Sequence, residues 1–204
     1  MEIYPERHDI KDVYKLLTAA VTPRPIGWIS SISTLGEKNL APFSFFNVVG
    51  YDPPHVIFAP ISPNGRQKDT LTNVLETAEF VVNLVTEPVA EKMNKTSAQL
   101  SPEVDEFVFA DLTPIDSVLV KPSRVKESLI HFECKLVHHY SFRDRQNGST
   151  VIIGQVVLIH VADQIISNDF KIDTELYKTI GKMEGGQYCR TSDQFFMSRD
   201  IPLN

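Results

Sequence analysis

The sequence predicts a mainly β protein, an antiparallel barrel with accessory helices. Apolar and polar residues alternate along 130–142, which is the period of a strand with one buried face. Asn147-Gly148, a dipeptide typical of tight hairpin turns, follows this run. The returning run 150–161 is apolar on both faces. An antiparallel strand covered on both sides suits a barrel wall whose outer face meets a helix or another subunit.

Composition sets the class of protein. The chain has 204 residues, 42% of them hydrophobic and 23% charged, so it can bury a core as a single domain. The formal net charge is −6 without a basic run, which argues against a nucleic-acid partner. No apolar stretch of about 18 residues is present, so we expect no membrane partner. The charged start and only two cysteines predict a cytoplasmic protein.

The N-terminal third reads as one helix followed by strands. Asp9 can cap a helix that ends before Pro23. Its apolar positions recur at helical spacing: Ile10, Val13, Leu17 and Ala20. The runs 26–33 and 39–49 flank a turn and predict a hairpin, and 55–61 predicts the next strand.

The middle of the chain predicts two further helices around one strand. The first follows a polar loop, and its apolar face is Leu71, Val74, Leu75 and Ala78. The run 79–85 predicts a strand, and 86–99 a second helix capped by Thr86 or Glu87. Proline and aspartate punctuate 100–126, which predicts no regular element.

The segment 64–70 is a candidate anion site because it opens a helix. Free backbone amides and the positive end of the helix dipole attract phosphate. Arg66 and Lys68 add positive charge, and Thr70 can donate a hydroxyl hydrogen bond. The alternative is an ordinary helix start, with Asp69 as the cap and the cations solvated.

The segment Ala41-Pro42-Phe43-Ser44-Phe45-Phe46-Asn47 is a second candidate site. Aromatic and small polar residues together can hold a flat heteroaromatic ring, whose polar edge is read by backbone groups. The alternative is barrel core beside a hairpin edge.

No metal or catalytic residue is predicted. His131 and Glu133 resemble the H-x-E half of a zinc deaminase, but the required P-C-x-x-C half is missing. Cys189 has no identifiable base beside it, so it is not a candidate nucleophile. The glycine-bearing tail 181–190 is either a loop that folds over a site or a plain C-terminal loop.

Several of these segments occur in an order that resembles a known family. The segments are 21–30 (VTPRPIGWIS), 39–47 (NLAPFSFFN), 52–54 (DPP), 68–70 (KDT) with Asn73, and 80–83 (FVVN). Together they resemble the flavin reductase-like family with the FMN-binding split barrel, especially its flavoredoxin-like branch. Later segments are similar too, so the resemblance runs from about Tyr14 to Arg190.

The resemblance implies one six-stranded Greek-key split-barrel domain over residues 1–204, with its core at about 14–190. It also implies a homodimer with FMN, or alternatively FAD, near the subunit interface. The cofactor-binding residues it implies are Ser30, Ala41, Pro42, Ser44, Phe45, Asn47, Pro60, Ile61, Lys68, Asp69, Thr70 and His131. Lys68, Asp69 and Thr70 would hold the phosphate, in agreement with the anion site. Tyr188 would contact the flavin from its own or the partner subunit.

The function that the resemblance implies is an FMN-binding oxidoreductase that takes electrons from a donor such as NAD(P)H. A monooxygenase or another redox protein would be the partner. Family members that use NADH tend to carry G-D-H before the returning strand, whereas residues 147–150 read Asn-Gly-Ser-Thr. The nicotinamide donor is therefore open, and the alternatives are an electron-transfer protein without a nicotinamide site or a non-enzymatic flavin carrier.

Overall fold

A computed structural model describes residues 1–142 and 147–198, with the backbone alone at position 64. Its main sheet has seven antiparallel strands in the order β2-β1-β5-β8-β9-β4-β3. These strands are β1 (Gly27–Ile32), β2 (Lys38–Phe43), β3 (Phe46–Tyr51), β4 (Pro54–Phe58), β5 (Glu79–Leu84), β8 (Ile130–Phe142) and β9 (Ser149–Val161). Two small hairpins pair β6 (Pro114–Ile115) with β7 (Arg124–Val125) and β10 (Ile180–Lys182) with β11 (Tyr188–Arg190).

The main sheet curls because its two edge strands are joined by a very short link. β2 and β3 lie at opposite edges of the sheet, yet only Ser44 and Phe45 separate them in the chain. Two extended residues span roughly 7 Å, so the edges must meet. The Phe46 ring packs against Gly27 at this seam, and a Cβ at Gly27 would lie 2.6 Å from Phe46 Cδ2. The sheet is therefore a barrel.

The expected six strands become seven because 39–49 is not one strand. The run keeps its apolar character throughout, but it breaks at Ser44-Phe45 where it crosses the seam. Its first half pairs with β1, from Gly27 opposite Phe43 to Ile32 opposite Lys38. Its second half pairs with β4. The predicted hairpin of 26–33 with the first half is confirmed.

Two apolar clusters lie on the two faces of the barrel wall. Neighbouring side chains on β1 point to opposite faces, so Trp28 enters one cluster and Ile29 the other. The outer cluster places Trp28 and Leu40 against Met93 and Phe107. The barrel interior packs Ile29, Phe58, Phe80, Val82 and Ile152, among others. Both faces of β1 are thus covered, which fixes its register.

Within the described residues, five α-helices pack around the barrel: α1 (Ile10–Ala20), α2 (Asp69–Thr77), α3 (Ala90–Lys95), α4 (Glu106–Phe109) and α5 (Thr174–Tyr177). Asp9 caps α1 as predicted, its carboxylate accepting from the Lys11 amide at 2.8 Å. The helix predicted over 86–99 is wrong in extent, because a 3₁₀ turn (Glu87–Val89) precedes a short α3. Further 3₁₀ turns are Pro5–Arg7, Pro63–Gly65 and Asp163–Ile165.

The long hairpin of β8 and β9 is confirmed, with Phe142 opposite Ser149. Residues 143–146 of its turn lie outside the described residues. The predicted burial of alternate residues along β8 is wrong, because His131 and Glu133 are buried together with Cys134. Register shifts after Glu133 and after Leu136 break the alternation. Across the described part of the chain, no helix is long and apolar enough to cross a membrane.

Candidate functional site

A cleft opens where β2, the start of α2 and α4 approach one another. The segment 96–100, which follows α3, completes its wall. Five of the residues predicted to bind a cofactor line this cleft: Ala41, Pro42, Lys68, Asp69 and Thr70. The two candidate segments of the sequence, 41–47 and 64–70, therefore contribute to a single concave surface.

The start of α2 opens onto this cleft without a side-chain cap. Lys68 occupies the N-cap position, so the alternative interpretation, in which Asp69 caps the helix, is wrong in that respect. The Lys68 carbonyl accepts from Leu71 and Thr72, while the amides of Asp69 and Thr70 have no acceptor among the described residues. Lys68 Nζ makes no hydrogen bond or ion pair within the described chain. Free amides and an uncommitted ammonium group form an anion-binding arrangement.

Thr70 adds a hydroxyl group whose acceptor side is already occupied. Its Oγ1 accepts from Asn39 Nδ2 at 2.8 Å, and the side chain is 1% exposed. The hydroxyl hydrogen has no acceptor in the described residues, so it can donate to a ligand. The amide of Asn39 also donates to Ser31 Oγ, which fixes the orientation of the pair.

Glu106 is a cleft residue that the sequence analysis missed. It lies on α4, is 7% exposed, and its carboxylate accepts from the Leu40 amide at 3.0 Å. Burial is the main cause that raises the pKa of this carboxyl to about 7, and Asp69 contributes in the same direction. The only sequence signal was an acidic residue after Asp105, which caps α4. Its partner is 66 positions away, so no local pattern could have found it.

Ser44 and Phe45 form the seam beside the cleft. Arg24 Nε donates to Ser44 Oγ at 3.3 Å, and the Phe45 carbonyl accepts from the Ala59 amide at 2.8 Å. Pro60 is buried and its carbonyl accepts from Thr150, while Ile61 bridges to Ser149. These contacts fix the backbone on both sides of the seam.

The other seven predicted residues do not line the cleft. Four of them belong to the seam just described, and the remaining three, Asn47, Ser30 and His131, lie elsewhere. Asn47 lines a separate apolar groove with Tyr177 and Ile180. Ser30 is buried, and its hydroxyl donates to the Ser123 carbonyl at 2.5 Å. His131 lines another pocket, where its Nε2 bonds to the Val125 carbonyl at 2.8 Å. Burial is the main cause that lowers the pKa of His131 to about 4, so its ring is neutral near pH 7.

Tyr188 lies on the C-terminal hairpin and is not among the residues that line the cleft. Its hydroxyl donates to Asn94 Oδ1 at 3.1 Å, and Lys182 Nζ sits 4.3 Å from the ring centroid. Lys182 also bonds to carbonyls of the loop that closes this hairpin. These contacts hold the 181–190 tail as an ordered hairpin.

The chain matches one known protein family and has relatives of similar length. Residues 19–179 match the model of the flavin reductase like domain. An uncharacterized protein of Aquifex aeolicus is 44% identical over 192 residues, which are 93% of this chain and 95% of that protein.

Comparison with solved structures agrees with the family match. Nitrilotriacetate monooxygenase component B from Bacillus cereus is 34% identical, with a TM-score of 0.92 over 97% of this chain and 98% of its own. A Shewanella frigidimarina protein with a split barrel domain has a TM-score of 0.83 at 23% identity. It covers 98% of this chain and 99% of its own, and it shows that the barrel is of the split-barrel type.

Proposed function

The chain belongs to the family of flavin reductase-like domains, and from this premise we propose that it is an FMN-binding oxidoreductase. In this proposal, electrons from a reduced donor such as NAD(P)H pass through bound FMN to an acceptor. The observation that carries the proposal is the start of α2, where free amides and Lys68 open onto a cleft bounded by β2.

The cleft residues fit the parts of FMN. The phosphate would bind to the Asp69 and Thr70 amides, the Thr70 hydroxyl and Lys68, because all four can donate to an anion. Ala41, Pro42 and the backbone of Ser44 and Phe45 would border the flat ring. Pro60, Ile61 and Asn47 are proposed as its further neighbours.

Ser30 and His131 are proposed in roles other than direct contact with the FMN of this cleft. Each already has a protein partner in this chain, so neither side chain is free to change its bond without cost. In the proposal, His131 contacts the flavin of a second copy of the chain. Ser30 would support the barrel wall behind β2.

The chain's own residues bind, orient and enclose the cofactor. Flavin, when bound, supplies the hydride and electron chemistry that the cleft side chains cannot perform themselves. Lys68 and the helix dipole would hold the phosphate, and the seam would place the polar edge of the ring against backbone groups. No side chain of the cleft needs to act as general base.

A homodimer is part of this proposal, supported by an uncovered apolar face. Ile10, Tyr14 and Leu17 on α1 are each about half or more exposed, and Leu17 reaches 56%. Val21 continues the same face at 62% exposure. Contiguous apolar surface of this kind typically marks a protein interface. We propose that a second copy covers it and brings the two flavin sites together.

The proposed electron acceptor and donor rest on one relative and on one segment of the sequence. The name of the Bacillus cereus relative supports a monooxygenase as acceptor. The absence of histidine from 147–150 supports the second candidate, an electron-transfer protein without its own nicotinamide site. Anaerobic titration of the FMN-loaded protein distinguishes them. Bleaching by NADH or NADPH supports the reductase, and no bleaching by either supports the second candidate.

Flavin titration tests the cofactor assignment directly. We expect the fluorescence of FMN to be quenched when it binds. Lys68→Ala should weaken FMN binding by about 1.5–3 kcal/mol, roughly 10- to 150-fold in affinity. Riboflavin, which lacks the phosphate, should bind Lys68→Ala and the natural protein alike. Lys135→Ala, a change at an exposed lysine of β8, is the matched control and should leave FMN affinity unchanged. No binding of FMN or FAD would refute the assignment.

A further inference from the structure

The cleft contains a carboxyl group that, when ionised, would repel the phosphate of the proposed FMN ligand. Four ionisable side chains line it: Arg66, Lys68, Asp69 and Glu106. The segment 96–100 contributes no ionisable side chain, and β2 contributes the Leu40 amide that binds Glu106. An ionised Glu106 would place a buried negative charge in the same cleft as a bound phosphate.

Glu106 is buried in the wall of the cleft and its carboxyl group is anchored by a hydrogen bond. Its side chain is 7% exposed, and the Leu40 amide fixes one side of the carboxyl group. No other residue of the described chain donates to it. A neutral carboxylic acid in this position keeps the bond to Leu40 through one oxygen and can donate through the other. A phosphate oxygen is a suitable acceptor for that donor.

We propose that Glu106 is a specificity-determining residue that couples phosphate binding in this cleft to the uptake of one proton. The inference rests on the proposed function, because it takes the phosphate of FMN as the ligand. Neutral Glu106 accompanies the bound dianion, and ionised Glu106 repels it. Affinity for a phosphorylated flavin therefore falls with rising pH, while affinity for riboflavin does not.

The electrostatic surroundings of Glu106 support this coupling. Burial, above all, and the charges of Asp69 and Asp105 favour its neutral form, while the backbone amides of Leu40 and of Glu106 itself favour the ionised form. The net result is a pKa of about 7. The proton is thus half bound near neutrality, and a nearby phosphate dianion adds a further charge that favours the neutral form.

FMN titrations between pH 7.0 and 8.5 test the proposal. A second phosphate pKa near 6 makes FMN a dianion across this interval, so its own ionisation contributes little. We expect the natural protein to bind FMN roughly tenfold more weakly at pH 8.5 than at pH 7.0. Glu106→Gln, which retains an acceptor for Leu40 and a donor for phosphate, should change less than twofold. Every other titratable group is retained in that variant.

Two controls make the result decisive. Riboflavin affinity should be constant over the same interval in both proteins. Calorimetry of FMN binding at pH 7.5, in two buffers of different ionisation enthalpy, should show uptake of more than about half a proton by the natural protein. This second measurement does not depend on whether Glu106→Gln folds.

Each other outcome overturns a defined part of the proposal. Constant FMN affinity in the natural protein, or an equal pH dependence in Glu106→Gln, overturns the proton coupling and leaves the proposed function intact. Equal pH dependence for FMN and riboflavin overturns the role of the phosphate. A natural protein that binds neither FMN nor riboflavin at any pH overturns the proposed function, and this inference with it.

Discussion

The guanidinium group of Arg24 donates a hydrogen bond to Ser44 Oγ across 3.3 Å, which ties the end of α1 to the barrel seam. The same group donates to the carbonyls of Thr18, Val21 and Met183. Arg24 is 6% exposed, so its guanidinium group is largely shielded from water. One buried cation therefore joins the first helix, the seam and the C-terminal hairpin.

Arg24→Met should destabilise the fold by about 3 kcal/mol, because it removes a buried cation that donates to four acceptors on three parts of the chain. Methionine keeps much of the side-chain length, so lost volume is a small part of the effect. Urea unfolding followed by the fluorescence of Trp28, the only tryptophan, measures the change. Arg190→Met is the control, since Arg190 is exposed and pairs only with Glu87. An equal effect of both variants would contradict the role assigned to Arg24.

The sequence predicts the elements whose signals are local. The capping of α1 by Asp9 could be predicted because the cap and the amide that donates to it are two residues apart. The β8–β9 hairpin follows from two strand-like runs on either side of the Asn147-Gly148 turn signal, although burial along β8 does not alternate as predicted. The cap and the turn signal each span few residues, so the pattern along the chain contains them.

The remaining features depend on contacts between distant residues. The run 39–49 looks uniform, and only the position of both sheet edges shows that it is two strands. Asp69 is a good cap by type, but the helix begins one residue earlier. The alternating pattern places Glu133 on a polar face. In the structure, residues 118–119 cover it, and the amides of Val118 and Leu119 donate to its carboxylate. No periodicity reports such contacts.

Gly154→Ala should destabilise the barrel by about 1–3 kcal/mol. A Cβ at this position of β9 would lie 2.3 Å from Phe80 Cζ, and Phe80 is fully buried in the barrel interior. The ring is enclosed by the barrel interior, so the added methyl group must displace it against its neighbours. Gly186→Ala is the matched control, because nothing lies within 4 Å of its added Cβ. Thermal unfolding of both variants should show a lower midpoint for the first alone.

Glu133→Gln should destabilise the protein by about 2–3 kcal/mol at pH 7. The fully buried carboxylate accepts from the amides of Val118 and Leu119 and from His160 Nε2 at 2.7 Å. Burial raises the pKa of Glu133, but these donors outweigh it, so the pKa lies below the ordinary 4.5. A lowered folded-state pKa stabilises the protein above the unfolded value, and this contribution is lost as pH falls through the folded value.

The difference between Glu133→Gln and the natural protein should therefore be full at pH 7 and shrink below about pH 4.5. Urea unfolding at a series of pH values from 7.0 to 3.5 measures it. Glu184→Gln, at an exposed position of the C-terminal hairpin, should follow the natural protein throughout. A constant difference across the series would show that hydrogen-bond geometry, rather than charge, is what Glu133 supplies.

Leu17→Glu should convert the proposed homodimer to a monomer. Leu17 is 56% exposed on α1, in the middle of the apolar face formed with Tyr14 and Val21, so a second copy covering that face would bury the new carboxylate. An unpaired buried charge costs several kcal/mol, more than most dimers of modest affinity can tolerate. Light scattering at micromolar concentration measures the mass. Leu35→Glu is the control, because Leu35 is 85% exposed in the β1–β2 turn and should leave the mass unchanged. A monomeric natural protein, or a dimer that survives Leu17→Glu, would show that α1 is not the interface.

FMN titration of the Leu17→Glu monomer then separates the two parts of the proposed site. The Lys68 cleft lies within one chain and should still bind the phosphate. Any contact supplied by a second copy would be lost, so the affinity for FMN should fall.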